Sequence, residues 1–243
     1  MKKITHVLLD ASATLIYPFP TFEDFCIEFL EKKNIPVYKS AKGKANKEAE
    51  KILAMHKKKV SIIPNNAVTE RIVWSHYQSV RLKHLSREDR DYPWLEWGYE
   101  VYDHYNPSDK WKIYEDVSET LDKLSSMGYR LVVVSDFGPG LEKILELVKI
   151  KHHFDKIFVS TVEGVSKANS ELYMHTLKKM KLSPEQTIMI GDNYEMDVVM
   201  STKLGIPSVW LNREEKQLPS SFSHHKHIIK SLSEIHAILL SKK

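Results

Sequence analysis

Cysteine is nearly absent from this chain of 243 residues: Cys26 stands alone, which excludes an internal disulfide and a thiolate metal cluster. Set among Phe25, Ile27 and Phe29, it reads as a small buried hydrophobe with no chemistry of its own. No stretch reaches the ~20 apolar residues that a membrane-spanning helix needs, so no membrane partner is expected. Met1-Lys2-Lys3 leads at once into a short apolar run ending at Asp10, without the long apolar segment and small-residue cleavage site of a secretory signal, and a cytoplasmic protein is expected. Internal repeats are missing, and the one biased tract is a run from Lys39 to Lys59 in which eight lysines meet only Glu48 and Glu50. Arginine is absent there and aromatics are sparse, so the run reads as a solvated helix face, and no nucleic-acid partner is expected. Beside a phosphate-handling site, the same positive field would steer anionic substrates.

The chain has the means for a folded core, with 42% hydrophobic and 28% charged residues. Its length is large for one domain and small for two, which suits a core domain carrying an insertion. From about Pro18 to Trp111 the pattern is helical. Phe22, Phe25, Cys26 and Phe29 share one helix face, and Ile72, Val73, His76, Tyr77 and Val80 are spaced as another. Aromatics crowd the end of this half, in YPWLEWGYEVYDHYNPSDKW, where core packing accounts for them. Asn106-Pro107-Ser108 marks its edge.

The second half changes rhythm. Short apolar runs (RLVVVS, KIFVS, TIMIG, PSVWL, HIIK) alternate with amphipathic segments ended by Gly or opened by Ser or Asp. Parallel strands joined by crossover helices produce that alternation. The opening THVLL is another such strand, so the expected fold is an α/β, Rossmann-like parallel sheet built from residues 1–16 and 112–243. An all-helical domain, 17–111, is inserted after the first strand.

In open parallel sheets, ligands bind beyond the carboxyl ends of the strands. The first run ends in Asp10, followed only by small residues as far as Thr14; RLVVVS ends in Ser135; Lys167 follows KIFVS; and Asp192 and Asp197 follow TIMI. Small residues after Asp10 allow close approach of a ligand to the backbone. A carboxylate is a competent nucleophile if its negative neighbours are neutralised, and Asp10 with Asp192 calls for a hard dication such as Mg²⁺. Lys167 would hold nucleophile and phosphoryl oxygens by charge, and the Ser135 hydroxyl would bind one of those oxygens.

DASATL, VVVSDF, EGVSKANSELY and GDNYEMD resemble, in order and spacing, the four motifs of the haloacid dehalogenase (HAD) superfamily, and the helical insertion is similar to that superfamily's first type of cap. The resemblance spans nearly the whole chain. It implies Asp10 as nucleophile, the Ser12 carbonyl and Asp192 as Mg²⁺ ligands beside Asp10, and Asp197 supporting the metal or Lys167. Ser135 and Lys167 become the phosphoryl-binding pair, with Ser12, Thr14 and Asp136 lining the substrate. The implied partner is a small anionic, phosphorylated substrate, and the implied assembly a monomer or homodimer.

One departure divides the readings. Phosphatases of the superfamily carry a second aspartate two residues after the nucleophile, where this chain has Ser12. That residue protonates the leaving group and activates water, help worth ~10²–10⁴ in rate. The leading reading is a Mg²⁺-dependent phosphohydrolase that is slow or whose leaving group needs no proton. The second is a metal-independent 2-haloacid dehalogenase, favoured by DASATL and by Tyr173, six residues after Lys167. Against it stands Asp192, where dehalogenases carry serine, since its charge would repel an anionic haloacid. The third is a weakly active or inactive relative that binds a phosphorylated ligand or a protein. Two smaller expectations follow: Ala168, where relatives have proline, loosens the Lys167 loop, and Asp136 either adds charge to the site or caps the next turn. His152, His153, His224, His225 and His227 read as surface histidines. Tyr17 and Tyr194 either line the pocket or pack at the sheet edge.

Overall fold

The computed structural model describes residues 3–57, 65–86, 90–106, 109–217 and 227–240. Lys58, Lys59, Pro107, Ser108, His224 and His225, singled out above, lie outside the described residues. The chain separates into two compact units: Met1–Tyr17, Ile113–Phe137 and Leu145–Lys243 in one, Pro18–Lys112 and Gly138–Ile144 in the other. The short segment Gly138–Ile144 thus groups with the helical unit although it lies in the second half of the sequence.

The first unit is built on β1 (His6–Leu9), with every residue buried, as a strand covered on both faces requires. The chain returns through β2 (Ile16–Pro18) and, after the helical unit, β3 (Trp111–Ile113), which pair with each other. Then follow α5 (Val117–Ser126), β4 (Arg130–Ser135), α6 (Leu141–Leu147), β5 (Phe154–Val159), α7 (Ser160–Glu163), α8 (Glu171–Met180), β6 (Thr187–Gly191), α9 (Met200–Thr202), β7 (Ser208–Leu211), β8 (Ile228–Ile229) and α10 (Ile235–Leu240). Six strands form one sheet in the order β5-β4-β1-β6-β7-β8, all parallel. The α/β Rossmann-like expectation therefore holds. β1 lies between β4 and β6, with Leu9 opposite Val133 on one side and Ile190 on the other. The ends of three strands, bearing Asp10, Ser135 and Gly191-Asp192, therefore meet at one edge. Leu8, Val132, Val134 and Met189 of the sheet are buried with Leu172, Tyr173 and Leu177 of α8.

The helical unit holds α1 (Phe22–Lys32), α2 (Lys42–Lys57), α3 (Ala67–Ser86) and α4 (Trp94–His104). Thr21 caps α1, its hydroxyl accepting from the Asp24 amide at 3.1 Å. Cys26, Ile27, Leu30, Leu82, Leu85 and Val101 make its core. Burial pushes the Cys26 thiol up to about 12, in keeping with a hydrophobe without chemistry. Gly98 lets α4 approach α3 closely, since a Cβ there would overlap the Ser75 carbonyl. Lys39, Lys44, Lys47 and Lys51 are exposed, as a solvated lysine face requires.

The expected inner face of α3 holds only in part, with Tyr77 buried and Val73 and Val80 half-buried. Ile72 and His76 are exposed, while Ser75, Gln78, Ser79 and Arg81 are buried. Part of the cause is a polar network: Arg81 donates to Asn46 Oδ1 (3.1 Å), Gln78 Oε1 (3.0 Å) and the Tyr77 hydroxyl (2.8 Å), so the guanidinium is satisfied inside the bundle, whereas the buried Ser75 hydroxyl has no partner among the described residues. No described helix is long and apolar enough to cross a membrane.

Candidate active site

Asp10 directly follows β1, and its amide donates to the Ile190 carbonyl at 3.0 Å, tying it to β6. The chain then folds back tightly: the amides of Thr14, Leu15 and Ile16 all donate to the Ala11 carbonyl, and Ala13 adopts a left-handed φ of 58°, a conformation a non-glycine residue holds at some cost. Among the described residues no group donates to the Ser12 carbonyl.

One oxygen of Asp10, Oδ1, accepts from Lys167 Nζ at 2.5 Å and from Ser135 Oγ at 3.0 Å. Lys167 also donates to Asp197 Oδ1 at 2.6 Å, and its side chain is only 3% exposed. Asp197 is fully engaged: Tyr173 donates its hydroxyl to Oδ1 at 3.3 Å and the Asn193 amide donates to Oδ2 at 2.9 Å. The Asp192 carboxylate and Asp10 Oδ2 have no hydrogen-bond partner among the described residues. Trp210 holds the Asp192 backbone instead, donating from Nε1 to its carbonyl at 2.8 Å.

The charges explain one another. Burial acts to lower the Lys167 pKa, but the Asp10 and Asp197 carboxylates outweigh it and hold the ammonium charged well above its usual range. One cation then faces three carboxylates. Burial, with the Asp10 and Asp197 charges, pushes Asp192 up to about 7. Burial likewise pushes Asp197 up to about 6, against the pull of Lys167. Asp10, Asp192 and Asp197 each bring a ligand oxygen to within 4.8 Å of the others. A surplus of negative charge on hard oxygen donors, two of them unengaged, fits a small dication such as Mg²⁺.

The expected site residues Asp10, Ser135, Lys167, Asp192 and Asp197 come together, and Ser12 lies in the same loop. Thr14 is fully buried, its hydroxyl finds no partner among the described residues, and its carbonyl accepts from Arg213 at 2.9 Å. Asp136 accepts the Lys167 amide at 2.9 Å on its carboxylate, and its charge acts on the Lys167 ammonium as well. Besides that bond, the Lys167 loop is held where Ser170 donates its amide to the Lys167 carbonyl (2.9 Å) and its hydroxyl to the Met200 carbonyl (2.6 Å). Tyr17 packs against Tyr114 and Tyr194 against Trp210, with ring centroids 4.8 and 5.1 Å apart. The segment after Asp192, expected as an ordinary helix, opens with a π-helical turn, Tyr194–Val199, capped by Asn193; such turns place side chains at functional sites.

Gly191 was not singled out by its own properties in the sequence, yet the site depends on it. A Cβ there would overlap the Asp197 carboxylate.

The protein spans about half the length of the curated relatives it matches. It is 29% identical over 139 residues to haloacid dehalogenase-like hydrolase domain-containing protein 3 of Danio rerio, covering 57% of each chain. It is 30% identical over 103 residues to glyceraldehyde 3-phosphate phosphatase of Methanothermobacter thermautotrophicus, covering 42% of this chain and 45% of that one. Among solved structures, YfnB of Bacillus subtilis, a HAD-family protein bound to magnesium, superposes with a TM-score of 0.76 at 20% identity over 98% of this chain and 99% of that one. Solved phosphatases and dehalogenases alike share the fold, so this likeness speaks for the fold alone. The model of the haloacid dehalogenase-like hydrolases matches residues 4–205, a span holding all the clustered acidic groups and Lys167, and the chain belongs to that family.

Proposed function

We propose that the protein is a Mg²⁺-dependent phosphohydrolase acting on a small organic phosphate through an aspartyl-phosphate at Asp10. The observation that carries this reading is the place of Asp192: a carboxylate with no hydrogen-bond partner among the described residues, within 4.8 Å of ligand oxygens of Asp10 and Asp197, a set of hard donors that suits a dication and would repel an anionic haloacid. The phosphatase relative named above supports a small phosphorylated substrate.

Asp10 Oδ2 attacks phosphorus; an O–P bond forms, the bond to the leaving oxygen breaks, and that oxygen departs with the electron pair. Water then attacks the phosphorus of the aspartyl-phosphate and frees inorganic phosphate, restoring Asp10. Lys167, held between Asp10 and Asp197, keeps Oδ1 occupied, so Oδ2 is left to react. Its ammonium and the Ser135 hydroxyl also stabilise the transferring oxygens. The Asp10 carboxylate, the Ser12 carbonyl and Asp192 would hold Mg²⁺, which would supply charge neutralisation for nucleophile and phosphoryl group. Asp197 positions Lys167. Ser12 donates no proton, so good leaving groups react best. In this reading the helical unit is the cap, and its exposed lysines favour an anionic substrate.

The test is phosphate release from p-nitrophenyl phosphate and acetyl phosphate, with chloride release from L-2-chloropropionate alongside, each with Mg²⁺ and with EDTA. Mg²⁺-dependent phosphate release is expected. Chloride release indifferent to EDTA would establish the dehalogenase instead, and silence on all three would favour a binding role.

A further inference from the structure

Arg213 lies in the loop after β7, beyond the residues matched by the family model, yet it reaches the loop that carries Ser12. Its fork is shared between two elements. Nη1 and Nη2 donate to the Asp116 carboxylate at 2.9 Å each, and Nη2 also donates to the Thr14 carbonyl at 2.9 Å. The guanidinium lies over the Tyr114 ring at 4.0 Å, and the Tyr114 amide donates to the Leu15 carbonyl at 3.2 Å. Asp116 is anchored in turn by the Ser231 hydroxyl and the Leu232 amide, both at 2.7 Å.

Together these contacts settle the direction of successive carbonyls after the nucleophile. That of Ala11 is held from within the loop by three amides, and those of Thr14 and Leu15 from outside by Arg213 and Tyr114. The Ser12 carbonyl is left unengaged among the described residues. A fork that holds a carboxylate and a carbonyl at once is a geometry lysine cannot reproduce.

We propose that Arg213 is a positioning residue: by fixing the Thr14 carbonyl against Asp116 it aims the Ser12 carbonyl at the site of the ion beside Asp10. The inference rests on the phosphohydrolase reading, in which that carbonyl serves Mg²⁺. Residues that orient metal ligands cost about 10–100-fold in metal affinity or activity when replaced.

The experiment compares full-length wild type, Arg213→Met and Arg213→Lys by calorimetric titration with MgCl2, by thermal melting, and by kcat and KM on p-nitrophenyl phosphate well below each melting transition. Arg213→Met is expected to bind Mg²⁺ at least about tenfold more weakly and to lose at least about tenfold in kcat, with KM little changed. Arg213→Lys is expected between the two, and it carries the comparison if the methionine variant does not fold. Variants that melt earlier but match wild type in Mg²⁺ affinity and kcat would make Arg213 a structural brace and overturn the proposal alone. Wild-type protein that neither binds Mg²⁺ nor releases phosphate would overturn the reading of the site and this assignment with it.

Discussion

Replacing Gly191 by alanine adds one methyl group at the end of β6, and the structure says where that methyl goes. It would sit 2.7 Å from the Asp197 Cβ and overlap the Asp197 carboxylate, where ordinary carbon contacts need about 3.5–4.0 Å. Asp197 must therefore retreat by about 1 Å. Overpacking of that kind costs about 1–3 kcal/mol. If the retreat parts Asp197 from Lys167, now 2.6 Å away, a buried ion pair is broken and the loss approaches about 3–5 kcal/mol. Lys167 would follow, and a misplacement of about 1 Å at a reacting centre costs about 10²-fold in rate. Urea unfolding gives the first quantity and p-nitrophenyl phosphate hydrolysis the second. An alanine variant within about 0.5 kcal/mol of wild type and equal to it in rate would refute the packing argument.

Asp10→Asn is expected to abolish hydrolysis, and an unchanged rate would remove Asp10 from the mechanism. Ser12→Asp is expected to raise phosphatase activity toward substrates with poor leaving groups, up to the ~10²–10⁴ that general acid–base help supplies; equal rates would mean that the missing acid is not limiting. Burial acts to raise the Asp116 pKa, but the bonds from Arg213, Ser231 and the Leu232 amide outweigh it and hold the carboxyl below its usual range. Its contribution to stability is therefore complete above the unfolded value of ~3.9 and is lost as pH falls through the lower folded value. The gap in urea midpoint between wild type and Asp116→Asn should be full at pH 7 and shrink below pH ~4, and a gap independent of pH would contradict the assignment. With its thiol pushed up to about 12 and fully buried, Cys26 should resist a thiol reagent at pH 8 until urea unfolds the chain; rapid labelling of native protein would show that the α1 core opens readily.

Much of the molecule follows from local pattern. Strands such as VLL and RLVVVS, buried on both faces, can only sit inside a parallel sheet, and each ends in the polar residue that the sheet's geometry brings to a common edge. Asp10, Ser135, Lys167 and Asp192 were legible for that reason: strand direction sets their place before any packing detail. Periodicity misled in part at α3, where Ile72 and His76 of a run spaced for burial lie outward while Tyr77 goes inside with Arg81 and Gln78. Thr14 and Asp136 read as ligand contacts in sequence; the intramolecular partners that the fold gives them, Arg213 for the Thr14 carbonyl and the Lys167 amide for Asp136, are distant along the chain, and no local rule reports them.

The amino-acid sequence by itself determined the element types, the parallel sheet and the residues at its strand ends, because hydrophobic period and chain direction are local properties. The tertiary structure alone decided how those residues share their hydrogen bonds. It gave both oxygens of Asp197 to Lys167, Tyr173 and the Asn193 amide, left the Asp192 carboxylate without a hydrogen-bond partner among the described residues, packed Asp197 against Gly191, and closed the Asp10 loop with an arginine nearly two hundred residues away. Contacts of that range depend on where folded elements come to rest, which a local pattern does not specify.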